Sequence, residues 1–140
     1  PGPELAALDG VHAITDVTGF GLAGHALELA RGSGCRVHID WHSVPLLDGV
    51  GALAAKGHVT GASARNWDAY GQDVTLAPGF ADVDRCLLTD PQTSGGLLVS
   101  CSANAVDDVL AIFRRNGFSS AGVIGVIEAC ATPSLSLGLG

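Results

Sequence analysis

Thr15-Asp16-Val17-Thr18-Gly19-Phe20-Gly21 is the stretch of this chain whose residue types could do chemistry. It puts a carboxylate, two hydroxyls and two glycines into one short turn. Val11-His12-Ala13-Ile14 precedes it, apolar enough to read as a buried strand. Leu22, Ala23, Ala26, Leu27 and Ala30 follow at helical spacing, with Glu28 and Arg31 on the other side. The chain therefore leaves a strand, turns, and enters a helix whose first free N–H groups form an anion site. Asp16 beside them would repel a phosphate. A divalent cation removes the conflict, because the carboxylate holds the metal and the metal bridges to phosphate oxygens. The alternative is a plain helix start in which Asp16 or Thr18 only caps.

Two further segments carry candidate groups. Gly61-Ala62-Ser63-Ala64-Arg65-Asn66-Trp67 reads as a small-residue loop that could present Arg65 to an anion, with Asn66 tolerating an unusual backbone angle. Its plain alternative is a surface loop whose arginine meets a carboxylate. In Asp90-Pro91-Gln92-Thr93-Ser94-Gly95-Gly96, Pro91 fixes one backbone angle and the glycines permit a sharp turn. Thr93 and Ser94 there either bond the backbone locally or touch a ligand.

The elements that must position these groups follow from periodicity. A short helix over Glu4 to Leu8 closes at Asp9-Gly10, and Gly32-Ser33-Gly34 ends the helix after the acidic turn. Cys35 to Trp41 alternates as a strand with one wet face, which takes His38 without any ligand role. Pro45 introduces a helix with Leu46, Leu47, Val50, Leu53 and Ala54 as its apolar stripe, closed by Gly57. The periodic signal then fails as far as Arg85, apart from a short strand at Val74-Thr75-Leu76. Leu97 to Cys101 is a strand. Ala105 to Asn116 is the clearest helix, with Val106, Val109, Leu110 and Phe113 buried, acidic residues at its start and Arg114-Arg115 at its end. Val123 to Ile127 reads as a final, central strand buried on both faces, joined to the preceding strand by a right-handed crossover if the two are parallel. Ala131 to Gly140 is Ser-, Leu- and Gly-rich and reads as a mobile tail.

Composition bounds the function. The 140 residues predict one domain; 47% are hydrophobic and only 15% charged, which excludes a disordered chain. A net charge of −7 with only 7 Lys and Arg argues against a nucleic-acid surface. No apolar run approaches the roughly 20 residues that span a bilayer, and Pro1-Gly2-Pro3-Glu4 does not resemble a secretory signal. Cys35, Cys86, Cys101 and Cys130 form no C-x-x-C pair and show no zinc spacing with the histidines. They read as small buried apolar residues in a cytoplasmic protein, none of them catalytic.

The acidic turn with Gly24-His25, the Asp90 to Leu98 stretch, and Arg65-Asn66 stand in an order and spacing that resembles the selenophosphate synthetase (selenide, water dikinase) family, of the aminoimidazole ribonucleotide synthetase superfamily. The resemblance runs from about Leu5 to Glu128, within a domain expected over residues 1–130. It implies an α+β fold in which a mixed sheet packs with helices, as in the C-terminal domain of that superfamily. It further implies that ATP, selenide and water become selenophosphate, AMP and phosphate with magnesium, at an ATP site between two domains. Full-length members are homodimers pairing chiefly through the first domain. The family's nucleophilic cysteine or selenocysteine, its lysine and further metal-binding aspartates sit there too, and nothing in this sequence matches them. Asp16 maps onto the family's magnesium ligand. Thr18, Gly19 and Gly21 map near phosphate, Arg65 and Asn66 toward the cleft, and Thr93 and Ser94 to possible ligand contact. Another superfamily member, such as aminoimidazole ribonucleotide synthetase or thiamine-phosphate kinase, or a non-catalytic partner-binding domain, are the competing expectations.

Overall fold

A computed structural model describes residues 1–140. The first helix, α1 (Gly2–Ala6), leads into strand β1 (Val11–Asp16), the acidic turn and helix α2 (Gly21–Ser33). Gly34, in the left-handed region, caps α2 as its sequence predicts. Strand β2 (Cys35–Asp40) buries Cys35, Val37 and Ile39 and turns Arg36, His38 and Asp40 the other way. His38 on that polar face bonds the Ser136 hydroxyl.

Helices α3 (Val50–Ala55) and α4 (Gly61–Tyr70), strand β3 (Val74–Leu76) and helix α5 (Asp82–Leu88) follow. Strand β4 (Leu97–Cys101), helix α6 (Val106–Arg115) and strands β5 (Gly125–Ala129) and β6 (Ser134–Gly138) complete the chain. β1 and β4 form an antiparallel ribbon. The second sheet has the order β3-β6-β2-β5, with β6 parallel to both neighbours and β5 antiparallel to β2. The fold is thus α+β with a mixed sheet.

α2 sits at the centre of the core because its inner face is nearly all alanine. Ala23, Ala26, Leu27 and Ala30 recur at one-turn spacing and let the helix lie close on Val37, Ile39, Leu135 and Leu137. A smaller cluster of Leu5, Val109 and Ile112 packs under the β1–β4 ribbon. In α6, Ile112 takes the buried place expected of Val106, Leu110 and Phe113, which are only partly covered.

Four sequence expectations are corrected. The helix after Pro45 begins only at Val50, behind a left-handed Gly49, and leaves Leu46, Leu47 and Leu53 exposed. The segment read as a flexible loop is α4, capped by Thr60, whose Oγ1 accepts from Ser63 N–H. Asn66 is therefore helical, and no residue other than glycine has a positive φ. β5 is an edge strand, with Val126 and Ile127 exposed, and lies in a different sheet from β4, so no crossover joins them. Finally, residues 131–140 are not a loose tail: β6 lies between β2 and β3, with Leu135 and Leu137 buried. Only Cys35 is a buried cysteine; the other three are half-buried, and all four are free.

Candidate functional site

The acidic turn and the Asp90 to Gly96 loop are stitched together by their backbones. Asp16 pairs with Leu97 at the end of the β1–β4 ribbon. Beyond it the Val17 N–H donates to the Gly96 carbonyl at 2.9 Å, and the Gln92 N–H to the Thr18 carbonyl at 3.0 Å. A Cβ on Gly95 would overlap the Val17 carbonyl oxygen, so only glycine admits this approach. Gly21 is required twice over: its φ is +68°, and a Cβ there would lie 2.6 Å from the Thr89 backbone.

The third segment locks onto the same point. The Asn66 side-chain amide donates to the Gly19 and Thr89 carbonyls, each at 2.9 Å. Asp90 accepts from the Thr60 hydroxyl at 2.9 Å and the Ser63 hydroxyl at 3.2 Å, so its carboxylate is engaged at the start of α4. Tyr70, at the other end of α4, donates its hydroxyl to the Phe20 carbonyl. Burial pushes the Tyr70 phenol up to about 12, against an opposing pull from the Gly24 backbone N–H.

This arrangement sorts the candidate residues. Asp16 is exposed and its carboxylate makes no hydrogen bond or ion pair. It does not cap α2, whose first residue follows Phe20 without any side-chain cap; nor does Thr18, whose Oγ1 lies 3.0 Å from His25 Nε2. Gly19, Thr93, Ser94, Gly95 and Gly96 are exposed, and neither Thr93 nor Ser94 bonds the local backbone. Arg65 is exposed on α4 and forms no ion pair, whereas Asn66 is spent on holding the turn. An open apolar groove of about 1430 Å³ runs behind this face along β4, β5 and α6, but neither Asp16 nor Thr18 lines it.

No three His, Cys, Asp or Glu side chains converge anywhere in the chain. Asp16 can therefore supply only one ligand to a shared metal site. That donor set fits magnesium, which is held through one or two carboxylates together with substrate phosphates rather than in an all-protein cage.

The profile of the family described as AIR synthase related protein, C-terminal domain, matches residues 2–138. The chain belongs to this family. This AIR synthase related domain is 64% identical over 125 residues to a selenide, water dikinase of Burkholderia ambifaria, covering 89% of the chain and 35% of that protein. It is 60% identical over 129 residues to a selenide, water dikinase of Pseudomonas straminea, covering 92% of the chain and 36% of the relative. The chain thus spans about a third of the length of these relatives. The crystal structure of E. coli HypE, a hydrogenase maturation protein, matches with a TM-score of 0.59 at 19% identity, over 96% of this chain and 33% of that one. That likeness concerns the fold. The motif-based resemblance and the α+β class agree with these findings, while the family match extends past Glu128 to include β6.

Sequence reasoning missed two groups of the site. His25 was visible in the Gly24-His25 pair, but only its approach to Thr18 assigns it a partner. Thr60 carried a signal too, an N-cap hydroxyl three residues before Ser63, hidden by the low helix propensity of the glycine after it.

Proposed function

We propose that this chain is the C-terminal domain of a selenide, water dikinase, and that its acidic turn forms one wall of an ATP and magnesium site completed by an N-terminal domain. One observation carries the reading: Asp16 stands free and exposed on a turn that the two motifs of the resemblance build jointly. The high identity to proteins named selenide, water dikinase supports the same assignment.

In this reading ATP, selenide and water yield selenophosphate, AMP and phosphate. Bound magnesium supplies charge neutralisation at the phosphate oxygens. Asp16 holds that ion from this domain's side. The exposed Gly19 backbone and the Thr93 and Ser94 hydroxyls offer polar contacts on the same wall, and Arg65, which has no acidic partner, offers an anion contact. Gly21 and Asn66 serve by shaping the turn, since one is buried on Thr89 and the other is already bonded. The chain contributes no nucleophile, so it turns nothing over alone. The nucleophilic cysteine or selenocysteine belongs to the N-terminal domain, through which the cytoplasmic enzyme also dimerises.

The test is Asp16→Asn in the full-length enzyme. Asn keeps the shape and hydrogen-bonding capacity of Asp but loses its charge. ATP consumption at saturating magnesium is expected to fall about 100-fold or more, the scale of charge stabilisation lost with a metal ion, at an unchanged melting temperature. Equal activity at equal stability would overturn the assignment.

A further inference from the structure

A buried histidine stands directly behind the acidic turn. His25 on α2 is 6% exposed, with Nε2 3.0 Å from Thr18 Oγ1 and Nδ1 2.9 Å from Glu28 Oε2 one turn further along. The Glu28 approach is close but off-line, so Nδ1 makes no aligned hydrogen bond. The Phe20 ring tilts over the imidazole, 5.8 Å between centroids. An ionised carboxylate only accepts hydrogen bonds. Even off-line, a bare lone pair on Nδ1 held 2.9 Å from that oxygen repels it where an N–H is attracted, so the ring proton belongs on Nδ1. In the neutral imidazole Nε2 is then an acceptor, and the bond to Thr18 runs from the hydroxyl to the ring. A threonine hydroxyl has one proton to donate. Once His25 has taken it, Thr18 can only accept.

Resting on the reading of this turn as part of an ATP and magnesium site, we propose that His25, backed by Glu28, is a positioning residue that uses up the only donor of Thr18 and offers its oxygen to a divalent cation or the water it holds. A phosphate oxygen, itself an acceptor, finds no partner in a hydroxyl held this way. The family resemblance implies a place for Thr18 near phosphate; the side chains behind it turn it toward the metal side of the site.

The first experiment needs no turnover. With histidine labelled in ¹⁵N in the 140-residue chain, long-range ¹H–¹⁵N correlation reads the tautomer of each imidazole, His25 being identified by its loss in His25→Gln. A proton on Nδ1 with Nε2 bare is the expected result, and a proton on Nε2 overturns the proposal. The second uses the full-length enzyme. Thr18→Val and His25→Leu are each expected to raise the half-saturating magnesium concentration about tenfold, the scale of one hydrogen bond. The double variant should lose no more than the worse single, because His25 acts through Thr18. His25→Gln, which can set an amide oxygen where Nε2 stands, should restore most of the loss. Additive losses, or no rescue by Gln, overturn the proposal even where melting temperatures fall equally. A wild-type full-length enzyme inert toward magnesium–ATP would overturn the functional reading instead, leaving the tautomer to decide the His25 assignment.

Discussion

Asn66 and Tyr70 hold the acidic turn from one helix, and each makes a separable prediction. Both N–H groups of the Asn66 amide are committed, one to Gly19 and one to Thr89, so Asn66→Ala leaves two carbonyls unpaired. That should cost about 1–3 kcal/mol, read as a melting temperature lower by several degrees; an unchanged midpoint would show these bonds to be idle. Tyr70 is the only tyrosine, so its ionisation can be followed by ultraviolet absorbance without interference. Burial raises it from 10.0 to about 12 in the native chain, which means the unfolded chain ionises first. The associated stability is complete below pH 10 and is lost as the pH climbs toward 12. A native titration midpoint no higher than that of the denatured chain would refute the burial argument.

Between elements, the decisive contact is that of the turn after β1 with the loop before β4. Gly95 lies against Val17 and Gln92, while Gly96 has open space where a Cβ would go. Gly95→Ala must push the two backbones apart and break the Val17–Gly96 pairing, a loss of roughly 3 kcal/mol or more. Gly96→Ala should stay within about 0.5 kcal/mol, as unhindered surface substitutions do. Urea unfolding of the two variants tests the pair, and equal losses would show that close approach is not what requires glycine at 95. The same stitching gives the Asp90 to Gly96 segment a structural part: its aspartate accepts from the Thr60 hydroxyl at the start of α4, and its Gly95 admits Val17.

At the scale of the whole molecule, the last strand closes the sheet. β6 pairs with β2 and β3 at once, and its Leu135 and Leu137 are 0% and 2% exposed beneath α2. Truncating one such buried leucine to alanine costs about 2–5 kcal/mol, against a total stability of about 5–15 kcal/mol for a domain. Removing residues 131–140 forfeits both side chains and two ladders of backbone bonds. The shortened chain is expected to lose its cooperative thermal transition, whereas Leu135→Ala should keep the transition at a lower temperature. A sharp melt of residues 1–130 close to that of the full chain would show the strand to be dispensable.

Features written in adjacent residues were legible in the sequence: the strand, acidic turn and helix from Val11 to Gly34, the alternation of β2, the α6 period, and the motifs that mark the family. Local periodicity and left-handed glycines decide these, because each depends on neighbours a turn or less away. Which strands pair, and which faces find cover, only the tertiary structure decided. An apolar run such as Val123 to Ile127 cannot report that its outer side lacks a neighbour, and so an edge strand reads as central. Conversely, Ser134-Leu135-Ser136-Leu137-Gly138 reads as part of a mobile tail until two flanking strands bury its leucines. The inner face of α4 is Ser63, Trp67 and Tyr70, a helical spacing masked by its one small polar member. Asn66 reaches carbonyls 47 and 23 residues distant, and Thr18 meets a histidine, itself beside a glutamate, on the helix behind it. Hydrogen bonding between separated segments is set by the packed geometry that brings donor and acceptor together, and residue order alone does not contain it.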